Sequence, residues 1–276
     1  MADKKYFTPE QLNDIFTFYS IDGYSMLKIS KLFGVNQSVI KRVLTENNVE
    51  VRDLNTYKNK HCDETFFDVI DTEEKAYWLG FIYADGYVIK RKTQDTLGIK
   101  LSIDDKNHLE KFKESLKSEH SIGIYTSDEG YNVGKQYCSL TICNQHIVDS
   151  LIDKGVTYRK TKTLIFPTRE QVPEKFVSHF IRGYFDGDGS VYHVAQGNSG
   201  CISFTGTQNM LDTILTEIKQ FVGTNAHTYK YSNKDIYDFK VGGRNQLKQF
   251  YAYIYKDSSM FLDRKKNKFE EILDIV

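Results

Sequence analysis

Two aspartates, Asp85 and Asp188, stand at matching positions in two stretches that repeat one another. The first stretch is WLGFIYADGYV from Trp78 to Val88, and the second is FIRGYFDGDGSVY from Phe180 to Tyr192. Each predicts a helix that runs into an acidic turn and then a strand. A carboxylate at the C-terminal end of a helix is disfavoured by the helix dipole. Two such carboxylates held side by side need a cation between them, so the repeat predicts a divalent metal site.

The small residues of the two stretches predict how the helices meet. Gly80 and Ala84 lie four residues apart, as do Gly183 and Gly187, so each pair shares one helical face. A missing side chain lets another backbone come unusually close, and we expect the helices to pack along these residues. A single copy of the pattern would most simply be a helix C-cap followed by a turn. Its repetition at a constant offset of 103 residues (188 − 85) favours a paired site.

The nine-residue motifs WLGFIYADG and IRGYFDGDG, which end at Gly86 and Gly189, resemble those of the LAGLIDADG homing endonucleases, in the form that carries two motifs on one chain. Each motif keeps the glycine at its third position and the acidic residue at its eighth. Tyr83 departs from the family pattern, which has an acid there, whereas the second motif keeps Asp186. The resemblance runs from about Asp71 to the C-terminus. It implies two unequal halves with the metal ligands intact.

Patterning along the chain predicts an α+β fold in which one αββαββα unit occurs twice. In the strand around LGIKLSI, apolar residues alternate with polar ones, as expected when one sheet face is buried and the other meets solvent or a ligand. The family resemblance implies that the two units form a pseudo-two-fold saddle. We predict a first subdomain at 71–168 and a second at 169–276, preceded by a linker at 56–70 and a small all-α domain at 1–55.

Residues 1–55 predict three short helices, with a glycine-containing turn between the second and the third. This arrangement is typical of a helix-turn-helix, whose last helix lies in the DNA major groove. The outward residues near the start of that helix are Gln37, Ser38, Lys41 and Arg42, and Gln and Arg can read base edges. The alternative is a small helical bundle used for packing or dimerisation.

The resemblance implies phosphodiester hydrolysis at the paired motifs. Metal ions can activate a water and stabilise both the phosphate and the leaving oxygen. Asp85 and Asp188 would bind Mg²⁺ with help from the carbonyls of Ala84 and Gly187, and Mn²⁺ or Ca²⁺ can substitute for binding. In the family each acid serves one strand, so paired nicks leave a staggered break across the minor groove.

Basic residues follow each half at similar distances. Lys160 lies 75 residues beyond the first motif aspartate (160 − 85), and Lys265 lies 77 beyond the second (265 − 188). They resemble the family's lysine, which positions or polarises the attacking water. Lys162 and Lys266 are the near alternatives, and a solvated charge cluster is the competing interpretation.

Double-stranded DNA would lie over the polar faces of the two sheets. The candidate contacts are outward strand residues: Lys100, Ser102, Tyr137, Ser139, Thr141, Ser203, Thr205 and Lys240. The alternative for any one of them is a polar side chain that meets only water.

Composition limits the remaining possibilities. Among 276 residues there are 37 basic and 37 acidic side chains, which argues against a protein that coats nucleic acid indiscriminately. The four cysteines lack the paired spacing of a zinc site. No apolar run is long enough to span a membrane, so no membrane partner is expected.

We therefore expect a monomeric, Mg²⁺-dependent, site-specific homing endonuclease of the intron-borne or freestanding kind, located in the cytoplasm of a prokaryotic or phage-infected cell. Two alternatives remain open. One is a DNA-binding regulator that has lost catalysis, and the other is an RNA maturase on the same fold.

Overall fold

The computed structural model describes residues 7–51, 60–127, 133–194, 200–231 and 235–274. The chain divides into two compact units, Met1–Asn59 and Lys60–Val276. Each unit has its own buried apolar cluster. Among the described residues, no helix combines the length and apolarity needed to cross a membrane.

The first unit is helical. Its helices are α1 (Pro9–Phe16), which continues as a π-helical turn to Ile21, α2 (Met26–Leu32) and α3 (Gln37–Glu46). A capping box starts α1, because the Thr8 side chain accepts from Gln11 N at 3.2 Å and the Gln11 side chain accepts from Thr8 N at 3.1 Å. Gly34, with a φ of +61°, makes the turn between α2 and α3. The core comprises Ile15, Tyr19, Ile29, Ile40, Val43 and Leu44.

The second unit contains two copies of the αββαββα order, which confirms the predicted fold class. The first copy comprises α4 (Glu73–Ala84), β1 (Gly86–Ile89), β2 (Thr96–Ser102), α5 (Lys106–Ser115), β3 (Gly123–Thr126), β4 (Gln136–Cys143) and α6 (Gln145–Asp153). The second comprises α7 (Val177–Asp188), β5 (Gly189–His193), β6 (Gly200–Gly206), α8 (Gln208–Val222), β7 (Tyr229–Lys230), β8 (Tyr237–Gly242) and α9 (Arg244–Tyr255). A further helix, α10 (Asp263–Leu273), follows the second copy.

The two sheets have the same strand order. Both are antiparallel and four-stranded, in the orders β1-β2-β4-β3 and β5-β6-β8-β7. In β2 the apolar Leu97, Ile99 and Leu101 are buried, whereas Lys100 and Ser102 are exposed. The predicted alternation therefore places one sheet face in the core and leaves the other polar.

Helices α4 and α7 pack backbone against backbone at the centre of this unit. A Cβ added to Gly80 would lie 2.0 Å from the carbonyl oxygen of Phe180, and one added to Gly183 would lie 2.0 Å from that of Tyr77. No side chain fits at such distances, so both glycines are required by the close approach. The contact aligns the C-terminal ends of the two helices.

The second unit begins before the predicted boundary at residue 71. Phe66, Phe67 and Ile70 are buried in its core, although they belong to the predicted linker 56–70. Their apolar surface is removed from water, which stabilises the segment against the unit. Residues 56–59 of that linker lie outside the described residues.

Candidate active site

The C-terminal ends of α4 and α7 bring the two motif aspartates to one place. Asp85 is the residue that caps α4, and Asp188 is the last residue of α7. A Cβ added to Gly187 would lie 2.3 Å from the Ala84 Cβ and 3.2 Å from Asp85 Oδ2. The Asp85 carboxylate therefore lies against the backbone one residue before Asp188. The helix contact determines this placement.

Both carboxylates have raised pKa values. The pKa of Asp188 is raised to about 6, mainly by desolvation at the helix ends and secondly by the negative charge of Asp85. The Asp188 side chain nevertheless stays accessible to water. Desolvation likewise raises the pKa of Asp85, against the opposing charges of Lys265 and Lys160. A cation bound between the two carboxylates would favour their ionised forms. The site therefore favours binding of a cation electrostatically.

Lys160 lies at the carbonyl end of the first motif helix. It belongs to a short 3₁₀ turn, and its Nζ donates to the carbonyl oxygens of Tyr83, at 2.6 Å, and Ala84. Desolvation lowers its pKa, while the charges of Asp188 and Asp85 oppose that change. The ammonium group offsets the negative end of the α4 dipole.

Lys265 lies in the same way at the end of α7. It belongs to the first turn of α10 and is only 6% exposed. Desolvation lowers its pKa to about 8. Its Nζ donates to the carbonyl oxygens of Phe185 at 2.7 Å, Asp186 at 2.8 Å, Gly187 at 3.4 Å and Gly189 at 2.6 Å. The lysine of the second half is thus held by more acceptors than that of the first.

The structure places the two alternative lysines elsewhere. Lys266 Nζ lies 4.1 Å from the centre of the Phe261 ring and 3.6 Å from Glu270 Oε1. Lys162 is exposed, and its charge is a minor contributor, after the hydrogen bond and charge of Lys230, to the lowered pKa of Asp235. Lys160 and Lys265 are the pair that meets the motif helices.

The donor atoms at the helix ends fit a hard divalent cation. Among the described residues no group of three or more His, Cys, Asp or Glu side chains could hold a metal. Mg²⁺ is often bound by only one or two carboxylates, with waters and phosphate oxygens completing the shell. The carbonyls of Ala84 and Gly187 already accept from lysine amines, so an ion using them would face a nearby ammonium group. Asp85 and Asp188 are therefore the better ligands.

The first sheet gathers its polar candidates on one face. Lys100 pairs with Ser139 across the β2–β4 ladder, and the Gly98–Thr141 and Ser102–Tyr137 pairs flank it. Lys100 Nζ lies 4.4 Å from the centre of the Tyr137 ring and 5.0 Å from that of Tyr125. Cation–π contact of this kind orders a long side chain at modest energetic gain.

The second sheet holds its candidates differently. Ser203 pairs with Lys240, and Thr205 pairs with Asp238. Thr205 Oγ1 donates to Asp238 Oδ1, and Tyr229 OH donates to Asp238 Oδ2, each at 2.9 Å. Alternation along β8 predicts an exposed Asp238. These contacts instead bury its side chain, which is only 7% exposed.

Helix α3 presents most of its candidates to solvent. Gln37, Ser38 and Lys41 are exposed. Arg42 is half-buried, and its Nε lies 3.8 Å from Glu46 Oε1. The opposite face carries the buried core residues of the first unit, as the apolar spacing predicts.

Sequence reasoning missed the buried polar groups that connect the two halves. Arg182 is fully buried and donates to Glu73 at 2.7 Å and to the carbonyls of Ile254 and Met260. Asp105, at the start of α5, accepts a bidentate pair of bonds from Arg264 on α10, beside Lys265. A charge inside an otherwise apolar helix was the one available signal for Arg182.

A family model and a solved structure support this fold assignment. Residues 175–255 match the family model described as the LAGLIDADG-like domain. The homing endonuclease I-WcaI, solved bound to its DNA recognition sequence, is 11% identical, with a TM-score of 0.55 over 81% of this chain and 96% of its own. The LAGLIDADG meganuclease I-AabMI, solved bound to uncleaved DNA, is 13% identical, with a TM-score of 0.47 over 72% of this chain and 90% of its own. No curated protein sequence matches significantly.

Residues 175–255 thus match a LAGLIDADG-like domain and lie within a unit that has the fold of the LAGLIDADG homing endonucleases. The resemblance predicted from the two motifs is confirmed by this domain match, which covers the second motif, and by the fold.

Proposed function

We propose that this protein is a site-specific DNA endonuclease that hydrolyses one phosphodiester in each strand with divalent metal bound between Asp85 and Asp188. The observation that carries the proposal is the junction of α4 and α7. There, two carboxylates with raised pKa values lie together, and each motif helix end also holds a lysine.

Asp85 and Asp188 would hold the metal, which we take to be Mg²⁺. When bound, such an ion supplies an activated water and stabilises the developing charge on the phosphate and the leaving 3′ oxygen. The two aspartates belong to different halves of the chain. One carboxylate can therefore serve each strand, which gives paired nicks and a staggered break.

Lys160 and Lys265 would act beside the carboxylates. Their positive charges favour the ionised forms of Asp85 and Asp188, which is the form that binds metal. Each ammonium group is fixed by backbone carbonyls and so has a defined position at the site. From that position it would orient a water near the scissile phosphate.

The polar sheet faces and helix α3 would bind the DNA. Lys100 and Lys240 each provide a positive charge on an exposed strand position, and serine and threonine hydroxyls surround them. Phosphate contacts fix the register of the duplex, and side chains on the strands read base edges. Because both motifs belong to one chain, a monomer suffices for both cuts.

Selection of cleaved sites from a random double-stranded DNA library tests this proposal. In Mg²⁺ we expect one recurrent site to be enriched, with staggered ends, and no enrichment in EDTA. The Asp85→Asn variant, assayed in parallel, is the control for contaminating nucleases. A library that stays uncut while the protein still retains a specific sequence would identify a non-catalytic DNA-binding protein and contradict the proposal.

A further inference from the structure

Asp186 lies in the second motif, two residues before Asp188, and is buried to 1% exposure. Its carboxylate accepts three hydrogen bonds. Oδ2 accepts from Tyr77 OH and from Leu262 N, each at 2.8 Å, and Oδ1 accepts from Tyr255 OH at 3.1 Å. The donors come from α4, from the residue before α10 and from α9. One carboxylate therefore connects three separate segments.

The bond to Leu262 bears directly on the candidate active site. Leu262 is the residue from which α10 starts, and Lys265 lies in the first turn of that helix. The Lys265 amine in turn donates to the Asp186 carbonyl at 2.8 Å. Asp186 thus fixes the start of α10 through its side chain and accepts from the lysine amine through its backbone.

Tyr77 extends the connection into the first half. The Tyr77 hydroxyl donates its proton to Asp186. Its oxygen also lies 2.9 Å from His108 Nε2, and because the hydroxyl proton is already used, Nε2 is the donor and the Tyr77 oxygen the acceptor. His108 belongs to α5 and is 2% exposed. A hydrogen-bonded chain therefore runs from α5 through α4 and α7 to the residue that precedes α10.

The matching position of the first half is built differently. Tyr83 corresponds to Asp186 at the same offset of 103 residues (186 − 83). Its hydroxyl donates to the Lys154 carbonyl at 2.6 Å, near the end of α6. That bond does not reach the turn that carries Lys160, so the two lysines are supported by different contacts.

We propose that Asp186 and Tyr77 are positioning residues for Lys265, so that a side chain of the first half determines the geometry of the second half's lysine. The inference rests on the proposed function for its catalytic consequence. Loss of the pair would impair the site that Lys265 serves and spare the site that Lys160 serves.

Amine labelling tests the positioning directly and needs no activity. Wild type, Asp186→Asn and Tyr77→Phe are acylated briefly, and labelling of Lys265 and Lys160 is measured by mass spectrometry. We expect Lys265 to be labelled about tenfold faster in both variants, as the loss of a hydrogen bond to a charged group predicts, with Lys160 unchanged. Tyr184→Phe is the matched control, because Tyr184 is a buried tyrosine on α7 that donates to the Thr205 carbonyl instead.

Strand-resolved cleavage of the selected target tests the consequence. Asp186→Asn and Tyr77→Phe should slow the same strand that Lys265→Met slows, leaving nicked duplex, whereas Tyr184→Phe should cut both strands as wild type does. Equal slowing of both strands, or unchanged labelling of Lys265 in both variants, would overturn the inference. A wild-type protein that cuts neither strand would refute the proposed function, and the labelling result would still decide the positioning role.

Discussion

At the scale of single residues, the candidate site contains two carboxylates and two ammonium groups in a small volume. Desolvation lowers the pKa of Lys160 and raises those of Asp85 and Asp188, while the attraction between the opposite charges opposes these shifts. Desolvation acts against all four charges. This balance suits a site that must stay charged and still admit a divalent cation.

Replacing either motif aspartate should separate binding from cleavage. Asp188→Asn removes one charged metal ligand and leaves the sheet faces unchanged, so we expect cleavage below about one hundredth of the wild-type rate with similar DNA affinity. Asp85→Asn should behave alike. Gel-shift titration in Ca²⁺ and cleavage assays in Mg²⁺ measure the two quantities. Normal cutting by either variant would exclude its aspartate from the site.

His108 should make stability depend on pH. Desolvation, together with the charges of Lys111, Arg264 and Lys265, lowers its pKa from 6.5 to about 3. As the pH falls, His108 is therefore protonated in the unfolded chain before it is protonated in the folded chain. The contribution of neutral His108 to the free energy of unfolding is complete above pH 6.5 and is lost progressively towards pH 3. Between pH 6.5 and 5 the loss is about 2 kcal/mol, from 1.36 kcal/mol per pH unit.

Urea unfolding at pH 7 and pH 5 measures this effect. His108→Gln keeps a donor for Tyr77, but its side chain does not titrate. The change in its free energy of unfolding between pH 7 and pH 5 should therefore be smaller than that of wild type by about 2 kcal/mol. The difference between wild type and variant isolates His108 from the aspartates, which titrate in both proteins. Equal pH dependence in the two proteins would show that His108 is not buried in the neutral form.

Contacts between residues far apart in the chain could not be predicted at this scale. The bonds Tyr77–Asp186 and Arg182–Glu73 each join residues 109 positions apart. Nothing in local periodicity indicates which of many polar side chains will meet in a core. The two aspartates were predictable only because repeated motifs related them to each other.

At the scale of elements, the α4–α7 contact depends on two glycines. An added methyl group at Gly80 or Gly183 would overlap a backbone carbonyl oxygen of the facing helix, which cannot rotate away. The helices would have to separate, and the distance between the aspartates would change with them. The contact therefore couples stability to the geometry of the site.

Gly80→Ala and Gly183→Ala should each lower the free energy of unfolding by about 3 kcal/mol, the upper part of the usual range for overpacking. Gly123→Ala is a suitable control, because a Cβ there meets only the Ser139 side chain and backbone at 3.7 Å or more. Chemical denaturation measures the three variants. A Gly183→Ala protein as stable as the control would contradict the close helix contact.

Element types followed from sequence where periodicity was strong. Thr8, Asn144 and Thr207 accept the capping bonds expected at helix starts, and the alternating strands lie in the predicted sheets. Helix α10 was not predicted, because its first turn reads as a cluster of charges. The spacing of the buried Phe269, Ile272 and Leu273 was the signal for it.

At the scale of the whole molecule, the first unit has its own core, so its removal should leave the second unit folded. We predict that deleting residues 1–55 shortens the recognised site and weakens specific binding, by the loss of the α3 contacts. Footprinting and gel-shift titration measure both.

The double variant Gln37→Ala, Lys41→Ala should weaken binding in the same direction without any truncation. A deletion protein that kept its affinity and its site length would refute the helix-turn-helix assignment.

In the proposed function, Asp85 and Asp188 share divalent metal at the ends of paired helices. Crystals of the protein with its selected target DNA, soaked in Mn²⁺, test it by anomalous diffraction. We predict manganese peaks bound by both carboxylates and by phosphate oxygens of the DNA. Manganese bound only elsewhere, or DNA held away from the two aspartates, would contradict a shared metal site.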